Sequence, residues 1–142
     1  MSTLAAVLLA AQAVATPPPA PRPGLEASRA EAYYHFSLGL QARFTGDGAA
    51  ALEEYRRAQK LDPQNDRSRD HLASLRARLA PEVPGLLEKG RTHYQLEELE
   101  NALDAWRRAL LIDPGNEEAR TYVARARTLL QNLERLRSEP AE

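Results

Sequence analysis

The 142-residue chain has no cysteine. Disulfides, thiolate chemistry, cysteine-ligated zinc and a lipidated N-terminal cysteine are therefore excluded. There is no excess of charge of either sign: 19 Lys and Arg stand against 20 Asp and Glu, a net charge of −1. Bulk charge thus points to neither nucleic acid nor an anionic membrane. No apolar run reaches the length that spans a bilayer as a mature segment. The three histidines, His35, His71 and His93, lie far apart, and none has a recognised metal-ligand spacing. Serines are few and none occupies a nucleophile elbow. Gly46-Asp47-Gly48 follows no strand and lacks the Lys-Ser/Thr of a phosphate loop. Many acidic residues pair at i,i+4 with basic ones, as in Glu53–Arg57 and Asp104–Arg108, the pattern of a solvent face. No catalytic residue, cofactor or metal site is implied, and an enzyme is not expected.

What the chain does have is a duplication. Gly39, Ala51, Tyr55, Ala58 and Pro63 recur as Gly90, Ala102, Trp106, Ala109 and Pro114; 90−39, 102−51, 106−55, 109−58 and 114−63 are all 51. Tyr55-Arg56-Arg57-Ala58 answers Trp106-Arg107-Arg108-Ala109, and Asp62-Pro63 answers Asp113-Pro114. The spacing has a physical meaning. A glycine in one helix admits a neighbouring backbone closely, since no side chain intervenes. Ala, aromatic and Ala at steps of four and three share one face of the next helix. The proline ends the unit because it cannot continue a helix.

This pattern resembles the tetratricopeptide repeat, a helix–turn–helix unit of about 34 residues. Leu38, Gly39, Ala51, Tyr55, Ala58 and Pro63 match the family's pattern, as do Gly90, Ala102, Trp106, Ala109 and Pro114. The departures are Lys89 where Leu is usual, His35 and Leu86 at the early aromatic position, Ala42 and His93 at the mid-helix Tyr, and Glu97 where the first unit has the inter-helix Gly46. The fold expected is all-α: a TPR-like α-solenoid of about six helices. Units at 32–65 and 83–116 are each followed by an extra helix, at 66–80 and 117–138. The extra helix accounts for the offset, since 51 exceeds the repeat length by about 17 residues.

In chain order, residues 1–15 are small and apolar and end Ala13-Val14-Ala15, like the h-region and cleavage site of a signal peptide, though without a basic n-region. A periplasmic or secreted location follows, with the cytoplasm as the alternative if the segment is a plain N-terminal helix. Residues 16–24 read as a proline-rich linker. The helical domain covers 25–138, with helices over Leu25–Thr45, Gly48–Leu61, Asp66–Leu79, Gly85–Gln95, Leu99–Ile112 and Glu117–Arg137, and a break at Pro81 and Pro84.

The resemblance implies a non-enzymatic adaptor or scaffold, in a bacterial envelope complex if the chain is exported. In this family the first helices of successive units line a concave groove that takes a peptide or helix. Tyr33, Phe36, Leu40 and Phe44 share a face of the first helix. With Arg43, and with Leu87, Arg91 and Tyr94 of the second unit, they form the candidate partner surface. It suits an apolar or amphipathic segment carrying an acidic group. The carboxylate-clamp repeats of heat-shock cochaperones have Lys and Asn where this chain has Phe36 and Leu40, so capture of a C-terminal carboxylate is not expected. The alternative is self-association: the last helix carries a leucine stripe, and Leu130, Leu133 and Leu136 on an overhang would suit a homodimer. No cofactor and no nucleic acid is expected, and membrane contact only through a partner or an uncleaved N-terminus.

Overall fold

The computed structural model describes residues 23–138. The signal-like segment at 1–15 and most of the 16–24 linker lie outside them. Six α-helices follow one another: α1 (Pro23–Phe44), α2 (Gly48–Leu61), α3 (Asp66–Leu79), α4 (Val83–Gln95), α5 (Leu99–Ile112) and α6 (Glu117–Ser138).

Local chemistry sets the ends. Asp47 caps α2, its carboxylate accepting from the Ala50 N–H at 2.9 Å. Asn65 caps α3 by accepting from Arg67 and Ser68, and Asn116 accepts from the Ala119 N–H at 3.0 Å at the start of α6. After α1, Gly46 adopts a left-handed φ of 84°, and the N–H groups of Gly46 and Asp47 return to the carbonyls of Arg43 and Ala42. After α4 the same double bond forms from Glu97 and Glu98 to Tyr94 and His93, but the left-handed residue is Glu97, with φ 62°.

Two boundaries differ from the sequence expectation. Pro23 and Gly24, read as linker, open α1. Pro81 and Pro84 do not break the chain. A 3-10 turn, Ala80–Glu82, leads from α3 straight into α4, and each proline stands in the first turn of its element. There the missing N–H has no intrahelical acceptor to lose.

Each unit packs as a helical hairpin plus a third helix: α1 on α2 and α3 on α2, then α4 on α5 and α6 on α5. The aromatic keystones are Tyr55 and Trp106, both fully buried. Each lies where Gly39 or Gly90 leaves room for its ring. The units join where α5 packs on α2 and α3. Arg76 crosses this joint, donating from Nε to the Leu111 carbonyl at 3.0 Å. Burial, and then Arg56 nearby, lower its guanidinium pKa. α1 and α4 do not pack along each other. Between the units, α1 contributes Arg43 and α4 contributes Leu86 to the walls of a joint cavity shared with α2, α3 and α5.

Candidate partner-binding surfaces

The residues expected to form one surface separate into three settings. On α1, Tyr33, Leu40 and Phe44 are 68%, 41% and 94% exposed. Steps of seven and four keep them on one stripe. Tyr34, not anticipated, is exposed beside them. Phe36 is not on this stripe. It is buried, its ring 5.6 Å from that of Tyr55 and edge-on to His71 at 5.1 Å. The α3 helix supplies His71, so the third helix converts an expected contact residue into core. Arg43 is half-buried and lines the cavity at the joint.

On α4, Leu87 is half-buried and packs against the core. Arg91 is occupied internally. Its Nη2 donates to Glu88 at 2.6 Å, and its Nη1 is bonded to Glu118 of α6. The bond to Glu88, and then the charge and bond of Glu118, raise the guanidinium pKa. The acidic group expected from a partner is thus supplied by the chain itself. Tyr94 sits at the edge of an aromatic cluster, 5.8 Å from Trp106 and 6.1 Å from Tyr122, which stack on each other at 4.7 Å. Its other side opens to a cleft of about 600 Å³ with Leu99, Leu129 and Leu133. This cleft joins one expected partner residue to one expected self-association residue. Leu133 and Leu136 are exposed, whereas Leu130 is partly buried against the core.

Two further clefts flank the joint. A cavity of about 390 Å³ lies between Leu52, Leu75 and Leu79 of the first unit and Leu86 and Ile112 of the second, with Arg43, Arg78 and Arg108 at its walls. A wider cleft of about 840 Å³ between α2, α5 and α6 gathers Arg56, Arg107, Arg108, Arg120 and Arg127 around Leu110, Leu111 and Val123, with Asp47, Glu53 and Asp104 among them. Glu53 and Arg57 pair at 3.0 Å as their spacing predicts. Arg108 instead turns to the clefts on either side of α5. Sequence reading missed this arginine grouping because its members come from three helices.

The histidines serve packing and local bonding. His35 bonds Glu54 at 2.6 Å across α1 and α2. His93 bonds Glu98 at 2.5 Å, and that bond holds the Glu98 carboxyl below the usual carboxylate range. His71 packs against both Phe36 and Tyr55. Among the described residues, no group of three or more His, Asp or Glu is placed to hold a metal, and no helix is long and apolar enough to cross a membrane.

The class this geometry defines is an all-α protein of duplicated helical hairpins that presents clefts and side-chain stripes. Residues 83–116 match the family model of the tetratricopeptide repeat. The match falls on the second of the two units and joins the Gly90–Trp106 seam to the terminating Pro114. Among solved structures, the Arabidopsis OM64 TPR domain is similar to this chain. It is 19% identical, covering 71% of this chain and 98% of that one, with a TM-score of 0.36. No curated protein matches the chain in sequence.

Proposed function

We propose that the protein is a non-enzymatic adaptor that holds an apolar or amphipathic helix of a partner protein. The observation that carries this reading is the α1 stripe. Tyr33, Leu40 and Phe44 stand in solvent while the opposite side of α1 is seated on α2. Large apolar side chains grouped on one helix face, rather than scattered singly, mark interaction surfaces. Export by the 1–15 segment, and with it a place in an envelope assembly, belongs to the same proposal. N-terminal sequencing of the mature protein checks it.

The binding test is crosslinked capture from the native cell with wild type and Tyr33→Glu/Phe44→Glu as baits, both checked by circular dichroism. A partner held by wild type and lost by the variant supports the reading. A partner held equally by both removes α1 as the site. The competing reading is self-association through α6, and the observation in its favour is the exposure of Leu129, Leu133 and Leu136. Its mark is a size that rises with concentration and falls back in Leu133→Glu.

A further inference from the structure

Positive and negative charge gather at different places on the molecule. The wide cleft has α5 as its floor and α2 and α6, both packed on α5, as its walls. Five arginines line it: Arg56 from α2, Arg107 and Arg108 from α5, Arg120 and Arg127 from α6. Arg56 and Arg107 hold the same position in the two units (107−56 is 51). Arg108 answers Arg57, and here the units differ. Arg57 bridges Glu53 and Glu54 at 3.0 and 3.1 Å. Their counterparts are Asp104 and Ala105 (104−53 and 105−54 are both 51), so one carboxylate is gone and the other is a methylene shorter. Among the described residues, Arg56, Arg107, Arg108 and Arg127 form no ion pair, and Arg120 reaches only Glu117, at 3.5 Å. Of the three carboxylates in the cleft, Asp47 accepts from the Ala50 N–H and Glu53 is held by Arg57, which leaves Asp104.

The α4–α5 turn has the opposite character. The first unit's turn reads Thr45-Gly46-Asp47-Gly48-Ala49, and 51 residues on the chain reads Leu96-Glu97-Glu98-Leu99-Glu100. One acidic residue becomes three, and Leu96 is exposed. Glu98 is taken by His93 and Asn101. Glu97 and Glu100 are exposed and form no ion pair among the described residues. Arg137 is the cation in the cleft beside these three glutamates. Within one chain, turn and arginines are held apart by α5. Glu100 and Arg107 stand about 10 Å from each other along it, at 1.5 Å per residue.

We propose that the arginine cleft receives the α4–α5 turn of a second copy of this chain. Glu97 and Glu100 of the incoming turn pair with the cleft arginines, and its Leu96 meets the floor at Leu110 and Leu111. A guanidinium takes a carboxylate through two parallel hydrogen bonds, which suits glutamates carried on a turn that projects from the fold. Turn and cleft are different surfaces, so the contact runs head to tail and leaves each copy a turn or a cleft for the next. Nucleic acid is the poorer occupant. No residue lining the cleft is an aromatic on which a base could stack, and Asp104 stands among the arginines. The contact rests on neither the α1 stripe nor the leucines of α6. It therefore goes beyond the adaptor role and stands or falls without it.

Sedimentation velocity tests it. Wild type is expected to show a sedimentation coefficient that rises with concentration at about 0.05 M salt and no longer does so at about 0.5 M, where exposed pairs are screened. Arg107→Glu/Arg127→Glu and Glu97→Arg/Glu100→Arg are each expected to weaken association about tenfold or more, by setting like charges against each other. The chain carrying all four substitutions, with the signs exchanged, is expected to regain it. The four side chains are exposed, so the circular dichroism of every variant should match wild type. Should a reversal disturb the fold, Arg107→Gln/Arg127→Gln takes its place, and unchanged association there overturns the proposal. Wild type that stays monomeric at high concentration and low salt overturns it, as does association that survives both reversals and is lost only in Leu133→Glu. A monomeric wild type that binds a single-stranded oligonucleotide or a polyglutamate peptide, and loses it in Arg107→Glu/Arg127→Glu, gives the cleft to another occupant and overturns the second copy.

Discussion

Gly90 shows how closely the inter-helix seams are fitted. A Cβ there would fall on the buried Trp106 indole, and one at Gly39 would stand 2.6 Å from two ring carbons of Tyr55. Neither ring has room to withdraw. Gly90→Ala should cost about 1–3 kcal/mol through overpacking. Gly85 in the same helix faces open space, so Gly85→Ala should be neutral or gain up to about 1 kcal/mol. Urea unfolding of the two variants side by side checks this, and equal midpoints would refute the seam. Tyr55 adds a pH signature. Burial pushes its phenol above the ordinary value, opposed by Arg43. Below about pH 10 the phenol is neutral in both folded and unfolded chains. Above that the unfolded chain ionises first, so stability is lost as pH rises through the folded value. The thermal midpoint should fall on the alkaline side, and fall less in Tyr55→Phe. That variant keeps the ring and removes a buried hydroxyl without a hydrogen-bond partner, so it should cost little at neutral pH. The spacing made Tyr55 and Trp106 legible as inter-helix residues, because steps of four and three put them on one face with their flanking alanines; it set Gly39 and Gly90 against Ala51 and Ala102, whereas the structure sets each against the aromatic ring.

Between elements, the two inter-helix turns make a natural comparison. Gly46 and Glu97 hold the same left-handed backbone, yet only glycine does so without steric cost. Glu97→Gly should therefore raise stability by up to about 1 kcal/mol, read as a higher urea midpoint; a lower one would mean that the Glu97 side chain is needed. The departure at Glu97 was visible in the sequence, but its backbone angle was not. The α1 helix teaches a second lesson. Tyr33, Phe36, Leu40 and Phe44 look equivalent on a helical projection, but α3 brings His71 over one side and buries Phe36 alone. Phe36→Glu should unfold the domain, since loss of the ring alone costs about 3–5 kcal/mol. Phe44→Glu should leave the circular dichroism and Tm near wild type. Periodicity says which residues share a helix side; it does not say what will be laid over that side.

For the molecule as a whole, stability rests on a small number of keystones. A domain of this size has about 5–15 kcal/mol in total. Trp106 is fully buried and touches both Tyr94 and Tyr122, so Trp106→Ala should cost about 3–5 kcal/mol. The variant should be cut rapidly by protease at a temperature where wild type resists, and equal resistance would contradict its place in the core. The joint between units has a different character, with α5 packed on α2 and α3 and no comparable packing of α1 on α4. That is why the expected groove residues part company. Phe36 goes to the core, Arg91 to Glu118, and Tyr94 to the cleft beside Leu133. The amino-acid sequence by itself determined the duplication, the pairing of helices within each hairpin and the identity of the aromatic seams, because these depend on short, fixed steps along a helix. Only the tertiary structure decided which faces are covered. Contacts such as Arg76 to Leu111 and Arg91 to Glu118 join distant parts of the chain. Whether Arg76 meets Leu111 depends on the angle at which one unit is carried into the next through the turn at Ala80–Glu82, and whether Arg91 meets Glu118 depends on how α6 folds back over α5; no local spacing encodes either angle.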